Sequence, residues 1–255
     1  MTGDGRASGV QVIARAADIL RALHDAPNGL TLSQLAPEVG LARTTVHRIV
    51  QALQSEGLVV VPERNGKLWL GPELGRLAMV TSATLVSRAR PFVEQLAHDV
   101  NETVDLAVLF GTNVRFIDQA TPGRRLRAQS VIGEIYPAHS TANGKALLAA
   151  LPTATLEATL PARLKRYTPN TIVSRRALLA EFEQVRETGV AFDREEHELG
   201  ICAVGAVLED SLGARAALTI AVAPERFYAA EQQLAQRVAD AARRANTALN
   251  TSRDT

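Results

Sequence analysis

Five polar side chains crowd the start of one helix-prone segment: Arg43, Thr44, Thr45, His47 and Arg48. A guanidinium can grip guanine O6 and N7 through two hydrogen bonds, or hold a phosphate. A threonine can meet a phosphate oxygen or a thymine methyl. The same segment has Val46, Ile49, Val50 and Leu53 at i, i+3, i+4 and i+7, which is the buried stripe of an amphipathic helix. The polar group therefore projects from the N-terminal end of a helix whose other face is core. That is how the second helix of a helix-turn-helix enters the major groove of DNA. The bland reading is a solvated face of a protein-binding helical domain.

The elements that must position this helix are legible around it. Val12, Ile13, Ala16, Ile19, Leu20 and Leu23 make one apolar stripe, so Val10 to Asp25 reads as a helix ended by Pro27-Asn28-Gly29. Leu30 to Leu32 reads as a short strand. Ser33 is the expected N-cap of the next helix, which Pro37 must either keep short or kink. Gly40 makes the turn and Gly57 the left-handed stop. The runs Leu58–Val61 and Lys67–Leu70 flank an Asn65-Gly66 pair, which signals a hairpin. Helix, strand, helix-turn-helix and hairpin together read as a winged helix-turn-helix. Arg64 and Lys67 at the wing tip are candidate phosphate contacts.

Composition narrows the class. Residues 1–90 carry ten Lys/Arg against seven Asp/Glu, and the remainder 18 against 20, so a mild basic bias falls on the N-terminal third. With one cysteine, an intrachain disulfide is excluded and a reducing cytosol fits. No apolar run approaches the roughly 20 residues of a membrane span. The segment MTGDGRASG lacks the apolar core of a secretory signal. Aromatic residues are 4% of the chain, which argues against a base-stacking surface for single strands.

The domain boundaries read as a disordered tail over 1–8, a winged helix-turn-helix over 9–71, a linker helix over 72–90 and a second domain over 91–250. Pro91 is expected to stop the linker helix, and that helix's apolar face is a candidate dimer seam. Beyond it, Phe92–Val100 reads as helix and Val104–Phe110 and Val114–Gln119 as strands around Gly111-Thr112-Asn113. Leu126–Ser130, Val190–Asp193, Ile201–Leu208 and Ala216–Val222 also read as strands. Lys145–Leu151, Ser174–Thr188 and Pro224–Asn250 read as helices. Hairpins interleaved with helices imply an α+β domain built on a mostly antiparallel sheet.

Several ordered segments resemble one family: GLARTTVHRIVQAL, LWLGPELGRLA, PFVEQLAHDVNETVDLAVLFGTNVRFIDQ, HSTANGKALLAAL and DREEHELGICAVGAVLED. Together they are similar to the IclR-family transcriptional regulators, over nearly all of residues 10–250. The resemblance implies a winged helix-turn-helix coupled to a GAF-like effector-binding domain. It also implies a homodimer or homotetramer on double-stranded operator DNA, a catabolic operon as target, and a small organic or aromatic carboxylate as effector. It places the effector at the loop containing Thr141, Ala142 and Asn143, where free N–H groups at a helix start suit an anion. The aspartate at position 193 is implied to contact the effector's polar group. The family's cysteine falls one place beyond Cys202, where this chain has Ala203, and both positions are candidate effector contacts. A serine pair of some relatives corresponds to Thr219 and Ala221, so the pocket is expected to be more apolar. Arg127 is a candidate partner for the carboxylate, the alternative for Arg124, Arg125 and Arg127 being a solvated loop.

Two other chemistries are open to these residue types. Asp193, His197, Cys202 and His139 are zinc-ligand types, but their spacing matches no zinc pattern and the run reads as a solvated loop. Cys202 with a histidine could be drawn as nucleophile and base, yet a lone cysteine in Ile201-Cys202-Ala203-Val204 reads as core. No nucleophile elbow, P-loop or dinucleotide fingerprint is present. The expectation is a cytoplasmic regulator without cofactor, metal or catalysis. The competing class is an enzyme acting on a small acid, with a regulatory helix-turn-helix.

Overall fold

The computed structural model describes residues 8–24, 26, 28–62, 66–122, 131–211 and 213–251. Arg64, the arginines 124, 125 and 127 and the strand expected over Leu126–Ser130 lie outside them. The chain forms two compact units, Met1–Ser82 and Ala83–Thr255.

In the first unit, helix α1 (Ser8–His24) leads to strand β1 (Leu30–Thr31) and helix α2 (Leu32–Glu38). The N-cap of α2 is Thr31, two residues before the expected Ser33. Its hydroxyl accepts from the Gln34 amide at 3.3 Å, while the Gln34 side chain accepts from the Thr31 amide at 3.0 Å. This reciprocal capping box satisfies two helix-start donors at once, which a lone Ser33 cap could not do. Pro37 lies near the end of this seven-residue helix, so the lost donor falls where few further turns depend on it.

Gly40, at φ +64°, turns the chain into helix α3 (Arg43–Ser55). Its buried residues are Val46, Ile49, Val50 and Leu53, the four the periodicity selected. The helix ends in a Schellman motif: the Leu58 amide reaches Leu53 O at 2.9 Å and the Gly57 amide reaches Gln54 O at 3.0 Å. That closure requires a left-handed residue, supplied by Gly57 at φ +68°. Strands β2 (Val59–Val60) and β3 (Lys67–Leu70) then pair antiparallel, and β3 also pairs with β1, giving the order β1-β3-β2. Ile19, Leu23, Leu35, the α3 stripe, Val59 and Leu68 close one small core.

Helix α4 (Pro72–Val100) runs through Pro91, contrary to the stop expected there. Proline forfeits one hydrogen bond and crowds the preceding turn, at about 3 kcal/mol. Leu85, Ala89, Val93, Leu96 and Ala97 lie on both sides of it and are buried together. Burying a single Leu or Val is worth about 1.5–3 kcal/mol, so the continuous stripe outweighs the proline. Leu85, from the 72–90 stretch whose apolar face was the candidate dimer seam, belongs to this core.

The second unit is built on a six-stranded antiparallel sheet. Its strands are β4 (Thr103–Phe110), β5 (Asn113–Ala120), β6 (Ile135–Pro137), β7 (Ala191–Arg194), β8 (Cys202–Glu209) and β9 (Arg215–Val222), in the order β6-β5-β4-β9-β8-β7. The helices are α5 (Ala142–Ala149), α6 (Thr153–Thr159), α7 (Arg175–Thr188) and α8 (Pro224–Thr251). Alternation along β9 sorts the layers: Ala216, Leu218, Ile220 and Val222 share a core with α4 and α8. Ala217 joins the opposite core with Leu147, Leu178 and Phe182. Both faces are covered, which is why these strands read as nearly unbroken apolar runs. The fold is α+β. Neither β6 nor α6 was expected from sequence, being three and seven residues long. Among the described residues no helix is long and apolar enough to cross a membrane.

Candidate functional site

Two places carry chemistry, one in each unit. The first is the start of α3, where Arg43, Thr44, His47 and Arg48 are exposed and Thr45 is half-buried. No carboxylate among the described residues engages either arginine. Ala42, the N-cap, offers no side-chain hydrogen bond, so the helix start keeps open N–H groups and its positive end. The arrangement can accept phosphates and present two guanidinium groups to base edges. Lys67 is placed differently from expectation: its ammonium donates to the main-chain oxygen of Asn28 at 3.0 Å, fastening the wing strand to the loop before β1.

The second is a cavity of about 80 Å³ between the sheet and the start of α5. A water's share of liquid is about 30 Å³, so the space suits the buried end of a small organic molecule. Strand register builds its floor. Asp193 pairs with Ala203, Ala203 with Ala221, Gly205 with Thr219 and Asp105 with Thr219. The small residues leave the room. A side chain at Gly205 would start 2.8 Å from the Thr219 hydroxyl. Thr141, Ala142 and Asn143 cover the floor from above, and Phe116, Tyr136, His197, Glu198 and Ile201 complete the wall. Phe116 meets Tyr136 edge-on at 5.1 Å between centroids, and Tyr136 meets His197 at 4.9 Å.

The sequence had brought forward Thr141, Ala142, Asn143, Asp193, Ala203 and Thr219, and all six line the cavity. Cys202 does not. It points to the other face of β8, fully buried against α8, as strand alternation requires of a neighbour of Ala203. Nor do the weighed zinc ligands converge, and no group of three or more His, Cys, Asp or Glu able to hold a metal exists among the described residues.

The polar inventory is uneven. Asp105 accepts from the Gln119 side chain at 2.8 Å, and Asp193 accepts from the Glu196 amide at 2.7 Å. The Thr141 hydroxyl donates to Pro137 O at 3.2 Å. The Thr219 hydroxyl is buried with no hydrogen-bond partner. Burial pushes the Asp193 carboxyl up to about 7, the amides of Glu196 and His197 pulling it back in part. Burial also lowers His197, leaving its imidazole neutral near neutrality. Among the described residues the wall holds three carboxylates and no Lys or Arg.

Two family models cover most of the chain: the IclR helix-turn-helix domain matches residues 12–62, and the bacterial transcriptional regulator IclR C-terminal model matches residues 77–247. The chain belongs to the IclR family. Among curated IclR-type relatives, HTH-type transcriptional regulator Rv1719 of Mycobacterium tuberculosis is 46% identical over 232 residues, 91% of this chain and 90% of that protein. HTH-type transcriptional regulator TtgV of Pseudomonas putida is 44% identical over 209 residues, 82% of this chain and 80% of that protein. A solved structure, a putative transcriptional regulator (RHA06195) from Rhodococcus sp. RHA1, aligns with a TM-score of 0.62 at 27% identity, covering 94% of this chain and 98% of that one. This IclR-family chain is therefore a transcriptional regulator with a DNA-binding helix-turn-helix and an effector-binding C-terminal domain, not an enzyme.

Sequence reading missed part of this regulator's wall: Asp105, Phe116, Tyr136, Glu198 and Ile201. One signal was available, a lone carboxylate at Asp105 between Val104 and Leu106 in an apolar strand. It also missed Lys145, whose fully buried ammonium lies 2.6 Å from Glu196 and 2.9 Å from Glu181. The pair with Glu196 fastens the start of α5 to the loop after β7, and so holds Asn143 and Asp193 on one site.

The raised Asp193 has a consequence for stability. A group whose pKa rises on folding, here from 3.8 to about 7, contributes stability that is full below the lower value and lost as pH climbs through the higher one. Asp193→Asn keeps the acceptor for the Glu196 amide and removes the titration. Urea unfolding at pH 5 and pH 8 should show a loss in the parent about 2 kcal/mol larger than in the variant. Equal losses would show that Asp193 ionises in the folded protein as it does in water.

Proposed function

We propose that this regulator binds a two-fold symmetric operator as a homodimer or a pair of dimers in the cytoplasm. A small organic molecule held in the cavity of the second unit then changes its affinity for that operator, which controls genes of a catabolic pathway. Residues 9–71 carry the DNA contact and the unit beyond α4's midpoint carries the effector. The observation that supports DNA reading most directly is the exposed group Arg43, Thr44, His47 and Arg48 on a helix whose opposite face is core. Two copies are required because one short helix reads only a half-site, and symmetric half-sites need a symmetric protein. Effector and operator affinities must then be linked in both directions by the same factor.

Arg48→Ala tests the reading helix. It is expected to weaken operator binding by roughly 1–3 kcal/mol, and a lost phosphate contact would also lower the salt slope by about one. Fluorescence anisotropy against genomic fragments the protein protects from nuclease supplies both numbers. Unchanged affinity across 50–200 mM salt would move the contact away from α3.

A further inference from the structure

We infer that Gln51 is a base-reading residue of α3: its side-chain amide takes the major-groove edge of an adenine in each operator half-site. The inference rests on α3 being the DNA-contacting helix, and it names the residue and the base through which that helix selects sequence.

Helical phase puts Gln51 where a base edge can be met. At about 100° per residue, the ridge opposite the buried stripe of Val46, Ile49, Val50 and Leu53 runs through Thr44, Arg48, Gln51 and Ser55, at i, i+4, i+7 and i+11. All four are exposed. Ser55 is spent on its own helix, its hydroxyl donating to Ala52 O at 2.7 Å. Arg48 leans to one side, where it lines a groove against α1 with Val12, Arg15 and Glu56. Arg43 and His47 stand off the ridge on the other side, the position of a phosphate contact rather than a base contact. Among the described residues no hydrogen bond or ion pair holds the Gln51 amide. No acidic residue interrupts α3 from Arg43 to Ser55, so the ridge meets the negative groove without repulsion.

The chemistry selects the base. A side-chain amide donates through its nitrogen and accepts through its oxygen. Adenine presents the matching pair, an N7 acceptor beside the N6 amino donor, whereas guanine presents two acceptors on that edge. A neutral amide gains no charge energy from a phosphate, a contact that favours arginine. Spacing sets the register. Gln51 lies seven residues beyond Thr44, about 10.5 Å along the helix axis. With α3 laid along the groove, that is about three base steps of 3.4 Å. The adenine therefore falls about three base pairs from the one that Thr44 faces. Gln54 is the internal comparison: it carries the same amide and is exposed on the same helix, but it lies about 90° from the centre of the ridge.

The test uses the full-length protein and a library of randomised duplexes, from which bound sequences are selected and read. Parent, Gln51→Ala, Gln54→Ala and Arg48→Ala are compared, with circular dichroism to verify folding. Alanine at either exposed glutamine position favours the helix, so the fold is kept. The parent is expected to select one adenine per half-site whose replacement weakens binding at least about fivefold, the low end for a bidentate base contact. Gln51→Ala should lose that preference alone and keep the salt slope, because no charge is removed. Gln54→Ala should select as the parent does. Putting 7-deazaadenine, which lacks the N7 acceptor, at that position should weaken the parent severalfold and leave Gln51→Ala indifferent. If Gln51→Ala selects as the parent does, or loses affinity evenly over all sequences, the inference is overturned, while a weakened Arg48→Ala keeps α3 as the DNA-contacting helix. If Arg48→Ala and Gln51→Ala both bind and select as the parent does, the reading of α3 falls and the inference with it.

Discussion

Replacing Lys145 by methionine is expected to destabilise the effector-binding unit by about 3–5 kcal/mol, the usual penalty for breaking a buried ion pair from one side. The ammonium is fully enclosed, and Glu196 is nearly so. Without it Glu196 must either stay charged in an apolar setting or take up a proton, and burial already pushes its carboxyl up against the pull of Lys145. One Glu196 oxygen lacks any hydrogen-bond partner even now, so the site has no spare donor to substitute. Chemical denaturation followed by the second unit's far-ultraviolet signal measures the loss. The double variant Lys145→Met with Glu196→Gln should recover part of it, because no net charge is then stranded between those two positions. A single variant as stable as the parent would mean that water reaches the pair.

Gly144→Ala is the second large effect, and its sign runs against helix propensity. Alanine is favoured over glycine in a helix by roughly 1 kcal/mol. At Gly144 the added carbon would lie 2.2 Å from the Ala138 carbonyl oxygen and 2.3 Å from its Cα. Those are backbone atoms of the turn that covers the cavity, so either α5 or residues 138–141 must shift. The expected net loss is about 3 kcal/mol or more, with Thr141 and Asn143 displaced and ligand binding weakened at least tenfold. Gly75 in α4 is the matched control. Nothing lies within 4 Å of a carbon added there, and Gly75→Ala should stabilise by about 0.5–1 kcal/mol. Melting temperatures of the two variants moving in the same direction would contradict the assigned contacts at Gly144.

The difference between these two glycines shows where sequence reading stops. Period and punctuation revealed α3, its four buried residues and its stop at Gly57, because each depends on neighbours within a few positions. They revealed β8 and β9 for the same reason. Pro91 misled because the local penalty was visible while the stripe that outweighs it becomes buried only against α8 and the sheet. Cys202 and Ala203 could be separated by alternation alone. The cavity's composition could not: Asp105, Thr219 and Asp193 meet through strand pairing across more than a hundred positions of chain. The acidic character of the wall emerged only when they met. Lys145 looked like an ordinary helix residue, since its two partners lie 36 and 51 residues away.

Cys202 gives the protein an internal clock. Its thiol is sealed against α8, and burial pushes it up to about 11, so neither hydrogen peroxide nor an alkylating reagent finds a thiolate while the sheet is intact. The chain has no other sulfhydryl. The rate at which a maleimide labels the native protein therefore times the opening of β8, and any compound that slows that labelling reveals itself as a guest without a DNA assay.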